Sequence, residues 1–134
     1  MRRRTGILLP RETILFASPV LDRGGFLSKK RTLILTDYPR LICIKETVHR
    51  VTLKSETFIA NPGSSAKPTF LRADAEGDKI FLVRTVRQFL WLRRVELMRA
   101  QSQRTFKYEE PTGGAARWVA ELREAQEKGV VGRN

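Results

Sequence analysis

Arg23-Gly-Gly-Phe-Leu-Ser-Lys-Lys-Arg31, running on into Thr32-Leu-Ile-Leu-Thr36, is the stretch from which the rest of this chain can be read. It holds four cations and no anion in nine residues, then becomes an apolar run of strand-forming residues. Gly24 and Gly25 suit a tight reversal, because glycine reaches positive φ at little cost. With Thr13 to Leu21 as the preceding strand, the segment becomes a hairpin with a cationic bend. Side chains alternate along a strand, so Lys29 and Arg31 share one face and Lys30 takes the other. Arg23 from across the bend brings the number of cations able to converge on one small anion to three.

A chain of 134 residues, 41% of them apolar, is long enough for one globular domain and too short for two. Its net charge of +12 calls for an acidic partner: nucleic acid, an anionic membrane face or a phosphorylated ligand. One cysteine excludes an internal disulfide and fits a reducing compartment. Cys43 and His49 are the only soft metal ligands, so neither a zinc site nor a cofactor is expected. Ile7-Leu-Leu9 after Met1-Arg-Arg-Arg4 is stopped by Pro10, and no apolar run approaches the roughly 20 residues of a membrane span. The expectation is a soluble, cytoplasmic protein that touches a membrane without crossing it.

Residues 1–12, broken by Gly6 and Pro10, read as a flexible basic lead-in. Strands are expected at 13–21, 30–36, 40–46, 50–57, 69–73, 79–85 and 104–109, with Pro19 marking an edge or bulge in the first. Asn61-Pro-Gly-Ser-Ser-Ala-Lys-Pro68 is punctuated as a loop. After Pro111-Thr-Gly-Gly114 the period changes: Trp118, Leu122 and Ala125 recur at i, i+4, i+7, with Val119 beside them. That predicts one amphipathic helix, ended by Gly129 as its C′ residue, whose Trp118 closes one end of a small barrel. Residues 129–134 are left as a tail.

This pattern resembles a pleckstrin-homology (PH) domain, and more narrowly the one at the C-terminus of 3-phosphoinositide-dependent protein kinases. The resemblance rests on Asp22-Arg23 through Lys29-Lys-Arg31, Leu33-Ile-Leu-Thr36, Leu71-Arg-Ala-Asp-Ala75 and Lys79-Ile-Phe-Leu-Val-Arg-Thr85. Its most specific piece is Pro-Thr-Gly-x-Ala-x-x-Trp within Arg104 to Trp118. It covers most of residues 13–128 and implies a mainly β fold: a seven-stranded antiparallel, partly open barrel or sandwich capped by one C-terminal α-helix. It also implies binding of phosphoinositide or inositol-phosphate headgroups, with Arg23, Lys29 and Arg31 on the ring phosphates. Arg104 supplies a further cation from the last strand, and Lys45, His49 or Arg50 one from the third-to-fourth strand turn.

One segment does not fit. Between Thr85 and Arg104, where the family has a short turn, lie residues 86–103, Val86-Arg-Gln-Phe-Leu-Trp-Leu-Arg-Arg-Val-Glu-Leu-Met-Arg-Ala-Gln-Ser-Gln103. Apolar residues go all round its helical wheel and fall on both faces of a strand, which predicts an irregular insert. Two explanations are open: a retained intron in the gene model, or a genuine insertion that wedges apolar side chains into a bilayer or binds a partner.

The sequence thus points to a non-catalytic module that brings a protein, a serine/threonine kinase or relative, to the plasma membrane. There is no Gly-rich phosphate loop with its lysine and no catalytic constellation. The alternatives are a protein-interaction module of the same fold and, less well supported, a basic nucleic-acid-binding domain. Against the last, the chain shows no recognition helix, zinc site or aromatic RNA platform.

Overall fold

Alternating apolar residues give seven strands, followed by one helix: β1 (Ile14–Asp22), β2 (Lys29–Thr36), β3 (Arg40–Glu46), β4 (Val51–Phe58), β5 (Thr69–Glu76), β6 (Ile80–Arg93), β7 (Glu96–Glu109) and α1 (Ala115–Val131). The computed structural model describes residues 6–59 and 67–131, so most of the expected 61–68 loop lies outside the described residues. The strands close into a barrel in sequence order. Two seams are thin: β4 meets β5 through Phe58 and Thr69 alone, and β1 meets β7 only at Leu21 and Asp22. Pro19 lies in the part of β1 that pairs with β2 only, where its missing N–H breaks no second ladder. The mainly β, partly open barrel with one C-terminal helix is therefore the observed fold.

The interior is filled from alternate positions: Val20, Leu33, Leu35, Leu41, Cys43, Phe81, Val83 and Tyr108 pack with Trp118 and Leu122 of α1. Trp118 is fully buried, its Nε1 donating to Ser18 Oγ at 2.8 Å and its ring stacked 5.8 Å from Phe81. Burying such a side chain contributes roughly 4–5 kcal/mol before entropy is counted. Helix entry is set by Glu110, whose carboxylate accepts from the amides of Thr112 at 3.1 Å and Gly114 at 2.5 Å.

Four expectations need correction. Residues 6–12 are not a loose lead-in: Ile7 and Leu8 cover a second apolar set, Ile34, Ile42 and Ile44, on the outer face of β2 and β3. Gly24 and Gly25 do not take positive φ, so the bend at 23–28 is a six-residue loop and not a tight reversal. The helix continues through Gly129 to Val131. Residues 86–103 are not irregular; they pair strand to strand, from Val86 with Gln103 to Arg93 with Glu96, as the outer half of one long β6–β7 hairpin. They pair well because a two-stranded ladder needs only backbone partners, whichever faces the apolar side chains occupy.

Candidate functional site

Antiparallel register fixes which turns share an end of the barrel. Asp22 pairs with Lys29, and Arg23 N donates to Lys107 O at 2.8 Å, so the 23–28 loop emerges toward the β6–β7 hairpin. Thr32 pairs with Ile44, and Thr32 Oγ1 donates to Glu46 Oε1 at 2.8 Å, which brings the 47–50 turn to that same end. The opposite end is plugged by α1, where Ala115 N donates to Asp78 O at 3.1 Å and Ala125 lies near Tyr38 and Pro39. The barrel thus has one closed end and one mouth.

Cations collect on the inner wall of that mouth. Lys29 and Arg31 share the face of Leu33 and Leu35, and Lys45 shares that of Leu41 and Cys43. The β2–β3 ladder ends at the Thr32–Ile44 pair, and Arg31 and Lys45 are the next residues outward from it, both on the inner face. Like charges on one face of neighbouring strands repel each other. Among the described residues no carboxylate forms an ion pair with Lys29, Arg31 or Lys45; Arg31 Nη1 donates only to the Lys30 carbonyl, at 2.8 Å.

The floor beneath them is made by Cys43 and Tyr108, with the Asp22 carboxylate, opposite Lys29 in register, beside it. Burial pushes the Cys43 thiol up to about 11, reinforced by Asp22 and opposed by a Tyr108 hydrogen bond and the Arg31 charge. Burial likewise holds the Tyr108 phenol well above its usual range. Asp22 itself is engaged, its Oδ1 accepting from Gly24 N at 2.9 Å.

The other expected residues are distributed around this wall. Arg23 falls on the outer face, opposite in parity to Val20 and Asp22, and is ion-paired there with Glu109. It is not brought together with Lys29 and Arg31. Arg104 shares the face of Phe106 and Tyr108, with its guanidinium carbon 4.3 Å from the Phe106 ring centre. It lines a cleft of about 280 Å³ with Lys54, Ser55, Glu56, Thr57, Thr85, Arg87 and Ser102, on the wall built by β4, β6 and β7; Glu56 is ion-paired with Arg40. His49 and Arg50 are exposed on the rim, in a turn closed by Thr47 N donating to Arg50 O at 2.9 Å. Phe26 and Leu27 stand exposed at the tip of the 23–28 loop.

Sequence reasoning missed Arg87 and Lys54 in the cleft. Arg87 was within reach of it, being two places beyond the inward-facing Thr85 on one strand. Among the described residues no group of His, Cys, Asp and Glu could hold a metal ion. Among the described residues no helix is long and apolar enough to cross a membrane.

A family model described as a PH domain matches residues 3–85, more than half of the chain. No curated protein matches it. The family match ends where the outer half of the β6–β7 hairpin begins, and does not reach the Pro111 to Trp118 motif.

Proposed function

Because this chain belongs to the PH domain family, whose members act as lipid- or protein-interaction modules, we propose that its barrel mouth binds a phosphoinositide or inositol-phosphate headgroup and so holds a protein at anionic membrane. The observation that carries this reading is that Arg31 and Lys45 share one inner wall with no carboxylate ion-paired to either among the described residues, Lys29 lying beside them opposite Asp22. Such an arrangement costs repulsion when empty, and a phosphate placed between the two cations removes that cost. Arg31 offers a planar fork for two phosphate oxygens, while Lys29 and Lys45 act as mobile point charges. Hydrogen bonds to charged groups contribute roughly 1.5–3 kcal/mol each, so three or four offset the loss of freedom on association.

Arg104, with Arg87 and Lys54 near it, serves a second ring phosphate from the facing wall, and His49 and Arg50 approach from the rim. Arg23 supports the loop and contributes little to the ligand, since Glu109 already balances it. The module is non-catalytic. The narrower reading, a domain that carries a serine/threonine kinase or relative to the plasma membrane, rests on the resemblance of Arg104 to Trp118.

Titration calorimetry with soluble inositol phosphates tests the proposal. Lys29→Glu with Arg31→Glu abolishes binding if the mouth is the site. Undiminished affinity would place the site elsewhere, and tight nucleic-acid binding in a gel-shift assay without any headgroup binding would overturn the reading.

A further inference from the structure

The outer half of the β6–β7 hairpin stands outside the family match and has a surface of its own. It spans eight cross-strand pairs, which at ~3.3 Å per residue makes a ribbon on the order of 26 Å long. On one face Leu92 sits directly opposite Leu97, and Leu90 opposite Arg99. These leucines are 60–72% exposed, and Val95 at the turn is 93% exposed. Contiguous exposed apolar surface of this kind marks an interaction site in a soluble domain. Arg99 shares that face, Arg94 lies in the turn beside Val95, and Arg93 follows at the edge on the other face, opposite Glu96, the lone acid of the segment.

We propose that this ribbon lies along the surface of an anionic bilayer, with Leu90, Leu92, Val95 and Leu97 in the interface and Arg93, Arg94 and Arg99 on lipid phosphates. Three physical points select this occupant. Apolar residues flanked by arginine match the layering of an interface, where hydrocarbon lies below a plane of phosphates. Both edges of the ribbon carry unpaired backbone groups, which water satisfies at headgroup depth and hydrocarbon does not, so the ribbon lies flat and does not span. A second copy docked face to face brings Arg99 of two arms onto one surface with no acid of the segment on that face to balance them. The root of the ribbon, the Thr85–Arg104 pair, is on the cleft wall of the mouth, so a ribbon lying on lipid keeps the mouth beside that lipid. This inference goes beyond headgroup binding and does not require it.

The test uses the full chain and vesicles of phosphatidylcholine and phosphatidylserine, without phosphoinositide. Leu92→Ser, Val95→Ser and Leu97→Ser together lower vesicle partitioning roughly ten- to a hundred-fold. Replacing Arg93, Arg94 and Arg99 by Gln lowers it by a similar factor on anionic vesicles only. A Val95→Cys variant carrying a polarity-sensitive dye brightens on vesicles; Cys43, 2% exposed, stays unlabelled. Unchanged partitioning in both variants, or a dye that does not respond to lipid, would sink the proposal. A lipid-free dimer dispersed by the serine variant would assign the face to a second copy. Failure of the mouth is separable: Lys29→Glu with Arg31→Glu removes only the increment from added phosphatidylinositol trisphosphate, and the serine variant leaves inositol-phosphate titration intact.

Discussion

Glu12 and Arg40, 28 residues apart, meet in a two-pronged ion pair in which Nε donates to Oε2 and Nη2 to Oε1, each at 2.6 Å. Arg40 also pairs with Glu56 and donates to the Ile7 carbonyl at 2.9 Å, and Thr36 Oγ1 donates to Glu12. Both side chains of the pair are buried, Glu12 completely. Removing the Glu12 charge leaves the buried Arg40 with Glu56 as its remaining carboxylate partner among the described residues, so Glu12→Gln is expected to destabilise the fold by about 1–3 kcal/mol. Urea unfolding of the two proteins, with an unchanged m-value, checks this.

Stability should also fall in acid, and the sign follows from two glutamates. Burial works to raise the Glu12 pKa, but hydrogen bonds from Arg40, Thr36 and the Leu9 amide, with the Arg40 charge, hold it below the usual 4.5. Glu110 is likewise below 4.5, burial being outweighed by the Thr112 hydroxyl and the amides of Thr112 and Gly114. A depressed folded pKa contributes stability that is complete above the unfolded value and lost as pH falls through the folded one. Thermal scans should show Tm roughly constant down to pH ~5 and falling below it, less steeply in Glu12→Gln.

The turn into α1 tolerates little. A Cβ on Gly114 would lie 2.5 Å from Glu110 Oε2, and Gly113 sits at φ +94. Gly114→Ala must therefore displace the carboxylate that caps the helix, at an expected cost of about 1–3 kcal/mol. If Glu110→Ala is introduced first, the penalty should largely vanish, which a double-mutant cycle measures.

Two arginines eight places apart should behave differently toward ligand. Arg31→Gln is expected to weaken headgroup binding roughly tenfold or more, whereas Arg23→Gln, already balanced by Glu109, should change it less than about threefold. Equal losses at both positions would show that the 23–28 loop closes over the ligand and brings Arg23 inward.

Removing residues 86–103 joins Thr85 to Arg104, themselves a cross-strand pair, and leaves Arg84 opposite Thr105 to close a tight turn. The shortened chain should fold with Tm within about 5 °C of the parent, because among the described side chains of the segment only Val86 is a buried apolar one, and it lies outside the main core cluster. Transcript sequencing bears on the same segment: the membrane-ribbon proposal requires that the message encode it, and splicing that removes it would return the chain to the family's short turn.

Most of the barrel is legible because strands alternate and the interior accepts only one parity. Leu33-Ile-Leu35 and Leu41-Ile-Cys-Ile44 are apolar at every position, which signals burial on both faces. Something had to cover the outside, and Ile7 and Leu8 do so; Gly6 and Pro10 disguised that role by reading as breaks. The ribbon was hidden for a different reason. Its turn, Arg94-Val95, has no glycine, asparagine, aspartate or proline, and Arg94 adopts φ 59, where glycine is usual. Counting parity from the inward Val20 puts Asp22 inside and Arg23 outside, so the misplacement of Arg23 was avoidable. Which of Lys45, His49 and Arg50 shares the inner wall with Arg31 was not legible, because cross-strand register depends on turn geometry that composition does not fix.

The N-terminal segment has a mechanical consequence. Most of β1 is held by β2 alone, so a pull on the start of the chain is not shared with β7. The load meets the packing of Ile7 and Leu8 and the bond from Arg40 to the Ile7 carbonyl, then the clasp of Glu12 on Arg40, and only after that clasp opens can β1 be peeled from its neighbour. Under tension the domain should yield in two steps, a short release and then the barrel, with Glu12→Gln erasing the first.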